Sequence, residues 1–263
     1  MVDIFLELPD ALIRAYERKA RAVGSDVESL MREVIEQRGL GLLPTACKDG
    51  GPLSDDWLVK AAEIETEYHR LGYDRGWRFM MCPQANISSA KLLVITLNPG
   101  GSGVHGTTWS HEAGNAYCIE SWGEIEAGKA KLQRQMQSMY DFLGVGPEEV
   151  FTANYVPFRS PTWQDLGRKP EAMAFAEYLW AWLKPKIQFE MAVCIGKDEP
   201  AKSLAKLFGA KLEATVEIGW GKVTADRYRL PDRRMLVALP HLSRFSVFDR
   251  VASEVKLREL FQP

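Results

Sequence analysis

The chain has 263 residues, 46% of them hydrophobic and 26% charged, with a formal net charge of -2. This composition lies outside the disordered range and is enough for one sizeable domain plus a small appendage. No apolar run approaches the roughly 20 residues that a bilayer-spanning helix needs, which argues against a membrane protein. The first residues, MVDIFLELPD, carry acids where a signal peptide has a basic patch, so a cytoplasmic location is expected. Cys47, Cys82, Cys118 and Cys194 are scattered and never spaced as C-x-x-C, so reduced structural thiols are expected rather than a zinc site or a disulfide framework.

In chain order, Val2, Ile4, Leu6 and Leu8 alternate with Asp3, Phe5 and Glu7, the period of a strand with one buried face. Pro9 opens a helical pattern that Gly24 stops. Ser25 and Glu28 then form a capping box for a second helix, Val27 to Arg38. Residues 1–40 thus resemble a ribbon-helix-helix module, whose paired strands read the DNA major groove. Here acids would face the phosphates, so the segment is read as a homodimerising or packing module, with direct DNA reading as the lesser alternative. Residues 41–56 follow as a Gly- and Pro-rich linker, and residues 57–263 form the larger domain.

In that domain helices and strands alternate. Helices are expected at Asp56–Leu71, Glu126–Leu143, Glu171–Leu183, Glu199–Phe208 and Val247–Phe261. Strands are expected at Leu92–Leu97, Val150–Val156, Met191–Ile195, Val223–Leu230 and Met235–Leu239. The uninterrupted apolar strands LLVITL, MAVCI and MLVAL predict an α/β fold, three layers α/β/α, with a mainly parallel central sheet.

Ligands of such sheets bind beyond the carboxyl ends of the strands. Three strands end in polar sequences there: Leu97-Asn98-Pro99-Gly100-Gly101, Asn154-Tyr155-Val156-Pro157-Phe158-Arg159, and Pro240-His241-Leu242-Ser243-Arg244-Phe245. Each has a plain structural reading. Asn98 to Gly101 suits a turn, and Asn154 can satisfy backbone groups at a strand end. His241 can be a bonded core histidine, and Ser243 and Arg244 can cap the following helix. No Gly-Lys-Ser/Thr follows the glycines, so the loop is not a Walker phosphate loop.

In order and placement the three motifs resemble those of the uracil-DNA glycosylase superfamily, nearest its single-strand-selective monofunctional and mismatch-specific branches, over roughly residues 70–255. The resemblance implies hydrolysis of the N-glycosidic bond of a flipped deaminated base, uracil first, in DNA repair, without metal or cofactor. It implies that Asn98 orients the water, with Pro99 and Gly100 lining the pocket floor. His241 stabilises charge growing on uracil O2, and Asn154 reads the base edge. Trp109 stacks on the base by spacing, or else is a core aromatic. Ser243 holds a phosphate, while Arg244 and Phe245 form the wedge that replaces the flipped base, unless Phe245 is a hydrophobic staple. DNA is the implied partner. Seven basic residues against three acids between Lys222 and Arg250 suit it, as they also suit an ordinary solvated surface.

The chain departs from the resemblance in two places. Asn98 stands where the strongest members carry an acid that activates water, and Leu242 stands where proline is expected. Two rival readings follow: a dimeric nucleic-acid or nucleotide-binding regulator with little or no catalysis, and an enzyme acting on free nucleosides or nucleotides.

Overall fold

The structure, a computed structural model, describes residues 55–262; the ribbon-helix-helix-like segment and nearly all of the linker lie outside the described residues. No helix among the described residues is long and apolar enough to cross a membrane.

The domain is an α/β fold around one six-stranded sheet in the order β2-β1-β3-β6-β5-β4. The strands are β1 (Leu92–Thr96), β2 (Val150–Asn154), β3 (Met191–Ile195), β4 (Lys211–Trp220), β5 (Val223–Arg229) and β6 (Met235–Leu239). Strands β2, β1, β3 and β6 are mutually parallel; β5 pairs antiparallel with β6, and β4 pairs antiparallel with β5, so the sheet is mixed. Connection length explains the difference. Trp220 pairs with Val223 across a tight turn at Gly221 (φ 56°), and β5 returns to β6 through a short loop; only antiparallel neighbours can be joined that way.

The alternation of side chains sorts the strands onto two helical layers. Leu93, Ile95, Phe151, Ala153, Ala192 and Cys194 face α1 (Asp55–Arg70), α5 (Lys169–Leu183) and α6 (Ala201–Phe208), once the short helices α2 (Asn86–Ser89) and α3 (Ala116–Ile119) and the longer α4 (Lys131–Leu143) are counted. Leu92, Val94, Val150, Val193 and Val237 face α3, α4 and α7 (Val251–Phe261). In α1 the core residues Trp57, Ala61, Ile64 and Tyr68 recur at helical spacing, and Gly72 (φ 75°) ends the segment.

Both edges of the sheet have distinctive structure. Beyond β2, residues 77–81 run antiparallel to it, with Met81 N donating to Thr152 O (2.8 Å) and Asn154 N to Phe79 O (2.8 Å). At the other end β4 carries Lys211, Glu213 and Glu217, and its register with β5 is interrupted between Leu212 and Ala214 and again between Glu217 and Trp220. That charged, irregular strand has only two isoleucine or valine residues, Val216 and Ile218, to mark it, which is why the sequence pattern did not reveal it.

Two helices begin four or five residues later than the periodicity predicts. Gly128 (φ 72°) makes a left-handed turn where a Cβ would lie 2.5 Å from Cys118 O, so α4 starts at Lys131 rather than Glu126. Residues 245–249 are pinned to α4 instead of being helical: Ser138 Oγ donates to Asp249 (2.8 Å), Gln135 donates to the same carboxylate, and Phe248 N donates to Gln135 Oε1 (3.2 Å).

Candidate functional site

Pairing register places the three polar motifs on one rim. Thr96 lies level with Asn154 on one side and Ile195 on the other, and Ile195 lies level with Leu239, so β1, β2, β3 and β6 end in one row. The chain leaves β1 toward β2 on one side and later reaches β3 on the other, so the strand order reverses at β1, the place where open α/β sheets form a crevice. Asn98 and His241 each follow this row by two residues, on strands two spacings or about 10 Å apart.

The first loop is held from outside by its carbonyls. Arg159 Nη1 donates to Gly100 O, Arg75 Nη1 donates to Ser102 O, and Ser160 N donates to Pro99 O (3.2 Å). Among the described residues, no acceptor is bonded to the N–H groups of Gly100, Gly101, Ser102 or Gly103. Gly101 has φ 112°, and a Cβ there would meet His105 Nε2 at 3.3 Å and Arg159 Nη1 at 3.4 Å, so that position requires glycine. Pro99 is buried and Gly100 exposed. Successive free N–H groups in such a loop attract negative charge.

Asn98 is half-buried, and its amide nitrogen anchors the loop by donating to Ser160 Oγ (2.8 Å), Pro99 O (3.2 Å) and Phe158 O (3.3 Å). Its Oδ1 accepts no hydrogen bond from the described residues. The side chain can therefore hold a water by its oxygen while its nitrogen fixes the direction. Asn98→Asp is expected to lower stability near pH 7, because a carboxylate would face the carbonyls of Pro99 and Phe158. Those oxygens disfavour the charged form and raise its pKa. The loss should shrink as pH falls through that raised value, which thermal unfolding from neutral to acid pH would show.

Asn154 is 2% exposed and already engaged: Oδ1 accepts from Thr96 Oγ1 (2.8 Å) and Nδ2 donates to Arg78 O (3.0 Å). One lone pair and one N–H remain on the amide. Tyr117 lies beside Thr96, and burial pushes its hydroxyl up to about 12. Trp109 is 8% exposed in the layer of α1 and α5, its ring 4.9 Å from Phe79 and its Nε1 donating to Gln84 Oε1 (2.9 Å). Trp109 is thus part of the core, its ring packed among Phe79 and Trp57.

The last motif is a turn closed by Arg244 N and Phe245 N donating to His241 O (2.9 and 3.2 Å). Leu242, fully buried, anchors it where proline would have stiffened it. The His241 ring is exposed, and Ser243 N donates to its Nδ1 (3.3 Å), with Ser243 Oγ 2.7 Å from the same atom. A backbone N–H can only donate, so Nδ1 is the acceptor and the proton of the neutral ring sits on Nε2. Partial desolvation, reinforced by Arg244, lowers the pKa of His241 and favours that neutral form. Arg244 is exposed, whereas Phe245 packs edge-on against Trp220 at 5.9 Å.

No family model matches the chain, and no curated protein matches it. The site also holds Arg78 and Glu120, for which the sequence offered no signal because the partners are distant in the chain. Arg78 Nη1 donates to both oxygens of Glu120 (2.8 Å each). Burial alone would raise the Glu120 carboxyl, but Arg78 and the Trp122 indole overcome it and hold the carboxyl below its ordinary value. Desolvation lowers the pKa of Arg159, and Arg78 lowers it further; His105 is lowered by desolvation and then by Arg159. Among the described residues no three His, Cys, Asp or Glu side chains are grouped to hold a metal ion.

Proposed function

We propose that this chain is a DNA-base glycosylase that hydrolyses the N-glycosidic bond of a flipped, deaminated base, with uracil as the first substrate to test. The observation that carries the reading is the pairing of two groups on one rim: Asn98 with a free, fixed amide oxygen, and His241 with its N–H on Nε2. The parallel half of the sheet, between its helical layers, is the part that presents them.

In this reading Asn98 Oδ1 accepts a hydrogen bond from a water whose oxygen attacks C1′. The C1′–N1 bond breaks, and its electron pair leaves with uracil as a delocalised anion. His241 Nε2–H donates to O2 of that anion, an interaction that strengthens as charge develops. Asn98 takes no proton, so the water's proton passes to solvent once the bond has broken. In this reading Ser243, Arg244 and the loop N–H groups contact the DNA backbone.

A uracil-containing oligonucleotide, incubated with the protein and then treated with alkali, tests the reading; absence of strand scission at large protein excess sinks it. The pH profile adds a signature. The neutral imidazole is the active donor and its pKa is held below the ordinary 6.5. Excision should therefore stay level as pH falls from 8 through 6.5 and decline only below, measured as single-turnover rates.

A second reading, a nucleic-acid binder with little catalysis, is favoured by the buried Trp109 and by the Asn154 amide, half of whose bonding capacity is spent on Thr96 and Arg78. Oligonucleotide binding without scission would select it. DNA as partner and pairing of copies through residues 1–40 are part of the same proposal.

A further inference from the structure

We propose that Arg159, flanked by Arg75 and the free N–H groups of Gly100 to Gly103, is a receptor for one phosphate of the bound nucleotide, on the opposite side of Asn98 from the Ser243–Arg244 loop. The inference rests on the reading of a nucleotide bound at Asn98 and names a contact which that reading does not assign.

Three observations point there. Neither Arg75 nor Arg159 has a carboxylate partner among the described residues; each spends one N–H on a loop carbonyl and keeps its charge. Two donors are also left unspent in the interior. Arg78 is 9% exposed, and its Nη2 is buried without a partner, as is Nε of Arg159. Unpaired buried donors on cations are costly, and an arriving anion relieves that cost directly or by a small shift of either guanidinium. Finally, Tyr73, Arg75, Arg159 and Ser160 line a cleft of about 230 Å³ next to the Asn98 loop. That volume is below the range of whole-ligand pockets but accommodates a phosphate with part of a sugar. Of the nearby acids, Glu120 is paired with Arg78 and Asp165 accepts from Thr162 N (3.1 Å) and Oγ1 (2.7 Å); Asp74 also lines the cleft, where its side chain is exposed to solvent.

Arg is suited to this task because its planar fork meets two phosphate oxygens at once. The ligand chemistry is a phosphate ester, carried by a DNA strand or by a free nucleotide.

The test uses fluorescence anisotropy with the full chain and a labelled single strand containing one 2′-fluoro-2′-deoxyuridine, whose glycosidic bond resists cleavage. Arg159→Gln is expected to weaken binding at least tenfold at low salt. It should also reduce the slope of log K against log salt by about 0.7, the value for one phosphate contact on a single strand. A neutral methylphosphonate at one linkage beside the uridine should produce the same loss in the unaltered protein and no additional loss in Arg159→Gln. Arg159→Lys should keep the slope, and Arg75→Gln should show a smaller loss of the same kind, which keeps the test decisive if Arg159→Gln does not fold. A Gln variant that retains the slope and the methylphosphonate response overturns the site. Equal affinity for dUMP and the oligonucleotide identifies the free nucleotide as the source of the phosphate. Arg159-dependent binding without scission of a uracil strand overturns the hydrolytic reading alone; scission indifferent to Arg159 overturns this site alone.

Discussion

His241→Ala should lower the single-turnover rate of uracil release about 100- to 1,000-fold, the usual consequence of removing one donor from a developing oxyanion. The fold should survive, because the ring is exposed and its only bonds are to Ser243 within the same turn. His241→Gln is the informative companion, since an amide N–H can partly replace Nε2–H and should recover part of the rate. Ser243→Ala removes the Oγ contact but leaves Ser243 N on Nδ1, so the tautomer is kept and a smaller loss is expected. Unchanged rates in His241→Ala, with thermal unfolding equal to the parent, would eliminate the proposed role.

Trp180→Ala should have the largest effect on stability. Trp180 is fully buried on α5, stacked on Tyr155 with centroids 5.9 Å apart and planes 13° apart, and packed on Phe79 and Phe151. Truncating a buried Trp costs about 3–5 kcal/mol. In a domain of this size, that is a fall of about 6–20 °C in melting temperature. Its Nε1 also donates to Tyr155 O (2.9 Å), one residue beyond Asn154. Trp180→Phe keeps most of the ring volume but strands that carbonyl, an added cost of about 1–3 kcal/mol. The rim and the core are thus mechanically joined at Tyr155, and the Phe variant should lose activity at temperatures where it remains folded. Calorimetry paired with rate measurements would check both.

Much of the fold was legible in the residues. Strands such as LLVIT and MLVAL are buried on both faces and read as unbroken apolar runs, and α1 and α5 repeat apolar residues at helical spacing. The antiparallel β4 was hidden because an edge strand half in solvent, carrying Lys211, Glu213 and Glu217, has no such run. At the site, the strand ends of Asn98, Asn154 and His241 could be read from the chain, because loops after parallel strands must emerge on one rim. What each side chain bonds could not. Asn154 turns inward to Thr96 because the alternation of β2 puts it on the same face, and Trp109 is drawn into an aromatic cluster with Phe79 and Trp57. The Arg78–Glu120 pair joins residues 42 positions apart, and nothing in either local segment announces it.

The treatment of the two sheet margins bears on how copies of this domain can meet. On one side, the backbone groups of β2 that would invite a foreign strand are already taken by residues 79–81. On the other, β4 offers charged side chains and two breaks in register, a poor template for a flat continuous ladder. Both margins of the sheet thus disfavour the addition of a foreign strand. Concentrated solutions of the domain should resist strand-to-strand polymerisation, and pairing of two such domains is expected through side-chain surfaces.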